Sequence, residues 1–274
     1  MPVEVRRRGS GSWDHGGLME TSWRAPWLWR ALLWVSRPLA AVVCRLRVSG
    51  EVPQALRGGP LILAANHVSP VDPVVLAAAC QVLGLVPRIM ATGGIFRAPV
   101  VGAVMRACGH IRVDRRTAQV AQALPDAVAA LAAGSTVLVY PEGRIGLDPW
   151  MWPERGKTGV ARMAAMSGAV VVPVAQWGAH AVLPYTSPKG LVGSVLRAVV
   201  RRPVVWVRFG EPVDLSGLSG SAGAQAMRAT DRIMEGITVT LAPLRSGEPR
   251  VPRFVDPTRP VEVSRVRRRW DRSG

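Results

Sequence analysis

The run Asn66-His67-Val68-Ser69-Pro70-Val71-Asp72 sets an imidazole five positions ahead of a carboxylate. Such a pair has a definite chemistry once a turn folds it together. A carboxylate bonded to one imidazole nitrogen fixes the tautomer and stabilises the imidazolium, leaving the other nitrogen free as a base. A hydroxyl can then be deprotonated without a serine nucleophile, and the chain contains no Gly-x-Ser-x-Gly elbow. Ser69-Pro70-Val71-Asp72 also has the form of a helix start, with Ser as N-cap, Pro first in the helix and an acid three residues after the cap. The capping and orienting roles of Asp72 are compatible. His67 has a structural alternative of its own, a hydrogen bond to a backbone carbonyl near a strand end.

Two further clusters carry charge next to short apolar runs. In Tyr140-Pro141-Glu142-Gly143-Arg144, a glycine just past a strand permits close backbone approach to a ligand, and Arg144 can bind phosphate. The other reading is a strand-ending turn with solvated charges. In Gly109-His110-Ile111-Arg112-Val113-Asp114-Arg115, followed by Arg116, the arginines form either a phosphate clamp or a charged surface turn. Gly156-Lys157-Thr158 imitates the end of a P-loop, but the required earlier glycine is Met151, so Lys157 is expected at a site rim or in solvent. His15, His110 and His180 stand alone without metal-ligand spacing. No metal or cofactor is expected.

The elements that must position these residues read as an α/β fold: a mixed, mostly parallel central sheet flanked by helices. Apolar runs at 61–65, 88–91, 111–113, 136–140, 169–174 and 203–209 read as strands. Stretches at 73–83, 100–108, 117–133, 158–166 and 222–241 read as helices. Residues 178–199 fit a loop with a short helix over the sheet. His67 follows directly from the strand 61–65, at its carboxyl end, which is where ligands bind in open α/β sheets. If the sheet is parallel, the 140–144 turn faces the same edge.

Of the 274 residues, 49% are hydrophobic, enough for one large core. Three scattered cysteines argue against a disulfide framework and fit a reducing compartment. The net charge is +17, nearly all of it arginine, since Lys157 and Lys189 are the only lysines. Such a chain wants a polyanion, either nucleic acid or an anionic membrane surface. The charge concentrates at both ends without a nucleic-acid-binding motif, so no nucleic acid is expected. Residues 1–22 lack an apolar signal-like core and read as a flexible N-terminus. Residues 23–47 interleave four tryptophans with arginines. Arg30, Arg37 and Pro38 break the ~20-residue apolar run that a membrane-spanning helix needs. The segment suits a membrane interface, or a helix covering the protein's own core. Residues 244–274 read as a basic, disordered tail.

Together the clusters resemble the four motif blocks of the lysophosphatidic acid (1-acylglycerol-3-phosphate) acyltransferase family, of the bacterial PlsC type. Asn66-His67 with Asp72 is similar to its NH-x4-D block, Gly109 to Arg115 to the block ending in arginine, Tyr140-Pro141-Glu142-Gly143 to its F-P-E-G block, and Val172-Pro173-Val174 to the last. The chain departs from the pattern at Arg144-Ile145-Gly146, where members usually carry Thr-Arg-Ser. The resemblance implies a glycerolphosphate-acyltransferase-like domain over residues 48–243, with His67 as base and Asp72 as its orienter. Arg115, Glu142 and Gly143 would hold the acceptor phosphate, with Asn66 and Arg144 also lining the substrate. It implies an acyl donor bound to coenzyme A or acyl carrier protein, a lysophospholipid acceptor, and a peripheral or monotopic place on the cytoplasmic face of the cell membrane. The displaced arginine leaves open a related enzyme with a glycolipid acceptor.

Overall fold

A computed structural model describes residues 23–114, 120–148, 150–185 and 191–246. The N-terminal 22 residues, Arg115, Arg116 and the tail beyond 246 lie outside the described residues. Among the described residues the strands are β1 (Arg45–Ser49), β2 (Leu61–Ala65), β3 (Pro87–Thr92), β4 (Ile111–Val113), β5 (Thr136–Val139), β6 (Val170–Trp177) and β7 (Val204–Phe209). The helices are α1 (Trp27–Val43), α2 (Asp72–Val82), α3 (Gly93–Arg97), α4 (Pro99–Ala107), α5 (Val120–Ala132), α6 (Gly159–Ser167), α7 (Ala179–Val182), α8 (Leu191–Arg201) and α9 (Ala222–Leu241).

The strands form one sheet in the order β1-β7-β6-β2-β5-β3-β4, parallel throughout except where β6 meets β7. The sheet is α/β and mostly parallel, as the alternation of apolar runs and helices implies. β2 is apolar and buried at every position, as a central strand covered on both faces must be. Its alternate residues serve two cores. Leu61, Leu63 and Ala65 pack with Trp29 and Leu33 of α1 and with Val75 and Leu76 of α2. Ile62 and Ala64 pack with Leu131 of α5, Met163 of α6 and Ile233 of α9.

The structure corrects several boundaries. Residues 45–47, expected to continue the N-terminal helix, are edge strand: Arg45-Leu46-Arg47-Val48 alternates, and the strand pairs in parallel with distant β7, Arg45 opposite Val204. α2 starts at Asp72 rather than Pro70, with Val71 at its cap and Pro73 inside the first turn. β6 runs three residues past Val174, because its far end pairs antiparallel with β7. Residues 178–199 resolve into α7 and much of α8. Order extends past 244, because Arg245 is buried with its guanidinium 4.2 Å and 4.1 Å from the ring centroids of Trp152 and Trp177. Trp152 is itself buried, so the loop before α6 packs inward at that point.

Candidate active site

β2 and β5 are parallel neighbours, with Ala64 opposite Val139, so the turns that follow them leave the sheet at one edge. The turn after β2 folds His67 back onto the start of α2. His67 Nδ1 lies 2.7 Å from Asp72 Oδ2. The same oxygen accepts hydrogen bonds from the backbone amides of Val68 (2.6 Å) and Ser69 (2.9 Å). The amide of Ser69 thus receives the acid's half of a capping box. The Ser69 hydroxyl accepts from the amide of Val71 at 3.3 Å and donates to the carbonyl of Leu183 at 2.6 Å.

Asp72 is fully buried and His67 partly exposed. Burial pushes the Asp72 carboxyl above the usual carboxylate range, while the bonds from His67 and the amides of Ser69 and Val68 pull it back down. With two amides already donating to Oδ2, the consistent arrangement is an Nδ1–H of His67 donating to the same oxygen. That leaves the lone pair on Nε2.

The turn after β5 holds the imidazole from the other side. The Tyr140 ring stacks on it, centroids 4.1 Å apart and planes 17° from parallel. Glu142 Oε1 accepts from the amide of His67 at 3.3 Å, and Glu142 Oε2 accepts from the amide of Glu154 at 3.0 Å. The carbonyl of His67 accepts from the amide of Gly146 at 2.8 Å. A Cβ at residue 146 would stand 3.0 Å from Glu142 Oε2, a tight contact. Gly143 sits at φ 73°, a left-handed turn over which the side chain of Lys157 lies.

The expected substrate-lining residues divide. Asn66 is buried, its Oδ1 accepting from the amide of Gln176 (2.8 Å) and its Nδ2 donating to the carbonyl of Gln176 (3.0 Å). The Gln176 side-chain amide donates back to the carbonyl of Asn66 at 2.8 Å. Asn66 therefore fastens the end of β2 to β6. Glu142 is buried between two backbone amides and orders the loop that carries it. Arg144 forms an ion pair with Glu154, Nη2 to Oε2 at 3.2 Å. Glu154 Oε1 also accepts from the amide of Leu147. Arg115 lies outside the described residues, so its clamp is not placed. Sequence reasoning passed over Gln176 and Glu154 because their partners are distant or in a loop of no regular pattern. Among the described residues, no group of His, Cys, Asp and Glu is arranged to hold a metal ion.

Residues 45–177 match the family model described as Acyltransferase. That stretch is similar to the acyltransferase family. The acyltransferase match opens at β1 and closes at the end of β6, and so includes both turns and Gln176. An uncharacterized protein of Mycobacterium leprae is 27% identical, the match covering 74% of this chain and 61% of that protein. The chain thus spans about three fifths of the length of the mycobacterial relatives it matches. A chloroplastic 1-acyl-sn-glycerol-3-phosphate acyltransferase of Brassica napus is 29% identical over 57% of this chain and 43% of its own. The crystal structure of PlsC, the 1-acyl-sn-glycerophosphate (LPA) acyltransferase of Thermotoga maritima, shares the fold with a TM-score of 0.56. It is 20% identical, and the match covers 81% of each chain.

Proposed function

We propose that this chain moves a fatty acyl group from the thioester of coenzyme A or acyl carrier protein to the free hydroxyl of 1-acylglycerol-3-phosphate, giving phosphatidic acid. The observation that carries the reading is the 2.7 Å contact between His67 Nδ1 and the buried Asp72 carboxylate at the carboxyl edge of a parallel sheet. His67 Nε2 takes the hydroxyl proton as the acceptor oxygen attacks the thioester carbonyl. Asp72 balances the imidazolium that forms. Collapse of the tetrahedral intermediate breaks the C–S bond, and the imidazolium returns its proton to the departing thiolate. No covalent acyl-enzyme is needed, and no cofactor beyond the donor itself. Gly143 and Arg115 would approach the acceptor phosphate.

The plant relatives named for this reaction support the acceptor. The ion pair of Arg144 with Glu154 favours a second reading, a related acyltransferase with a glycolipid acceptor, because Arg144 is held by a carboxylate. We also place the enzyme on an anionic membrane surface, peripheral on the cytoplasmic face. α1 buries Trp29 and Leu33 yet exposes Trp27 and Trp34, so it covers the core and faces outward at once. Among the described residues, no helix is long and apolar enough to cross a membrane.

The test offers purified protein labelled acyl-CoA with either lysophosphatidic acid or a panel of glycolipids. Phosphatidic acid is the expected product, and acylation of a glycolipid alone would replace the acceptor. In the same assay His67→Ala should lose ~10²-fold or more of the turnover, as removal of a general base does. Turnover like that of wild type in that variant would sink the mechanism.

A further inference from the structure

An amphipathic surface helix normally turns its apolar stripe toward the core. α8 does the reverse. Val192, Leu196 and Val200 recur at every fourth position and form one stripe, 70%, 62% and 84% exposed. Ala198 is the buried residue of the helix, joining the cluster of Trp29, Ala179 and Val182 where α8 packs beside α1 and α7. α1 exposes its own stripe, with Trp27 at 78% and Trp34 at 71%. The two helices pack against each other.

Charge identifies what covers this face. Neither helix contains a carboxylate, while Arg30 and Arg37 on α1 and Arg197 and Arg201 on α8 are all exposed. Apolar side chains flanked by arginines match the boundary between acyl chains and anionic headgroups. We infer that α8 is a second interfacial helix, lying beside α1 in the surface of an anionic bilayer. The inference rests on the membrane reading above and adds a helix to it. It also aims the site. α7 packs against α8, Leu183 directly follows α7, and the carbonyl of Leu183 accepts the Ser69 hydroxyl two residues past His67. A bilayer against α8 therefore holds the turn that carries the base at a set distance from the lipid surface.

The experiment floats the full-length protein with vesicles of phosphatidylcholine alone or of phosphatidylcholine doped with phosphatidylglycerol. Wild type is expected to float with the doped vesicles. Val192→Asp combined with Leu196→Asp should cut the floating fraction at least about tenfold, since both side chains lose apolar burial. The pair should leave the melting temperature unchanged, because both positions already face solvent. Arg197→Glu with Arg201→Glu should lose the doped vesicles by an independent route. Trp27→Asp with Trp34→Asp serves as the α1 arm. If wild type fails to float, the membrane reading falls and takes this inference with it. If both α8 variants float like wild type while the α1 variant does not, α1 stands and the assignment of α8 is overturned. If lipid-free wild type sediments as a dimer that the α8 variants dissolve, the face joins two copies of the chain and the lipid assignment is overturned.

Discussion

His67 and His110 are the same side chain built into opposite roles. Each lies against an aromatic ring, His67 stacked on Tyr140 and His110 edge-on to Trp29 at 4.4 Å. The difference is what Nδ1 meets. For His67 it meets the Asp72 carboxylate, so the charged ring has a partner. For His110 it accepts from the amide of Ile89 at 3.1 Å, a bond only the unprotonated nitrogen can make. Burial, helped by the nearby Arg88, pushes His110 down from 6.5 to about 4. The buried carboxylate beside His67 gives its Nδ1–H an anionic acceptor and fixes the tautomer. An amide in its place makes a ring that stays neutral and serves as structure.

The strongest way to break this contrast is to remove the anion while leaving the shape. Asp72→Asn presents an amide where two backbone N–H groups and the Nδ1–H all need an acceptor. kcat should fall about 10³-fold, as when an imidazole loses the carboxylate that fixes its tautomer. Steady-state kinetics on the folded variant decide it, and a loss under tenfold would mean Asp72 only caps its helix. Glu142 sharpens the comparison from the far turn. Glu142→Ala leaves the amides of His67 and Glu154 without their acceptor, and urea unfolding should record a loss of about 2–4 kcal/mol.

His110 supplies the acid-side counterpart. Unfolded, it takes up a proton below about 6.5; folded, only near 4. The unfolded state therefore binds more protons across that window, and stability falls as pH drops from about 6.5 to 4, by up to about 3 kcal/mol. Urea midpoints in that range should show it. His110→Leu should be less stable at neutral pH but lose less on acidification, and an unchanged acid slope would remove His110 as the cause. The smallest effect belongs to Tyr140. Its buried hydroxyl has no hydrogen-bond partner among the described residues, and burial with the nearby Asp72 raises it well above the usual tyrosine range. Tyr140→Phe keeps the ring against His67 and should change stability by under about 1 kcal/mol, in the favourable direction, with kcat unmoved.

The contact between His67 and Asp72 was legible because it is local. His67 and Asp72 share one turn, and the strand before them is apolar without interruption. The parallel sheet followed from strands alternating with helices, and with it the meeting of the 66–72 and 140–146 turns at one edge. The pairing of Asn66 with Gln176 was not legible because Gln176 lies on another strand, and nothing near either residue announces it. That Glu142 is buried and accepts from the amides of His67 and Glu154 was not legible, because those partners lie on other turns. β1 was missed because five residues between a helix and a loop alternate too briefly to stand out. The amphipathic pattern of α8 was present in its residues, but which stripe faces outward is decided by what packs beside it.

The pairing of β1 with β7 also has a consequence for the chain as it is made. Synthesis proceeds from the N-terminus, so Arg45 leaves the ribosome long before Val204 exists. During that interval the first strand has no neighbour among the described strands, and the sheet cannot be completed from its own beginning. α1 emerges earlier still, with its tryptophans uncovered. An incomplete chain therefore presents an unpaired strand and an apolar helix together, the combination that draws chaperones or leads to aggregation.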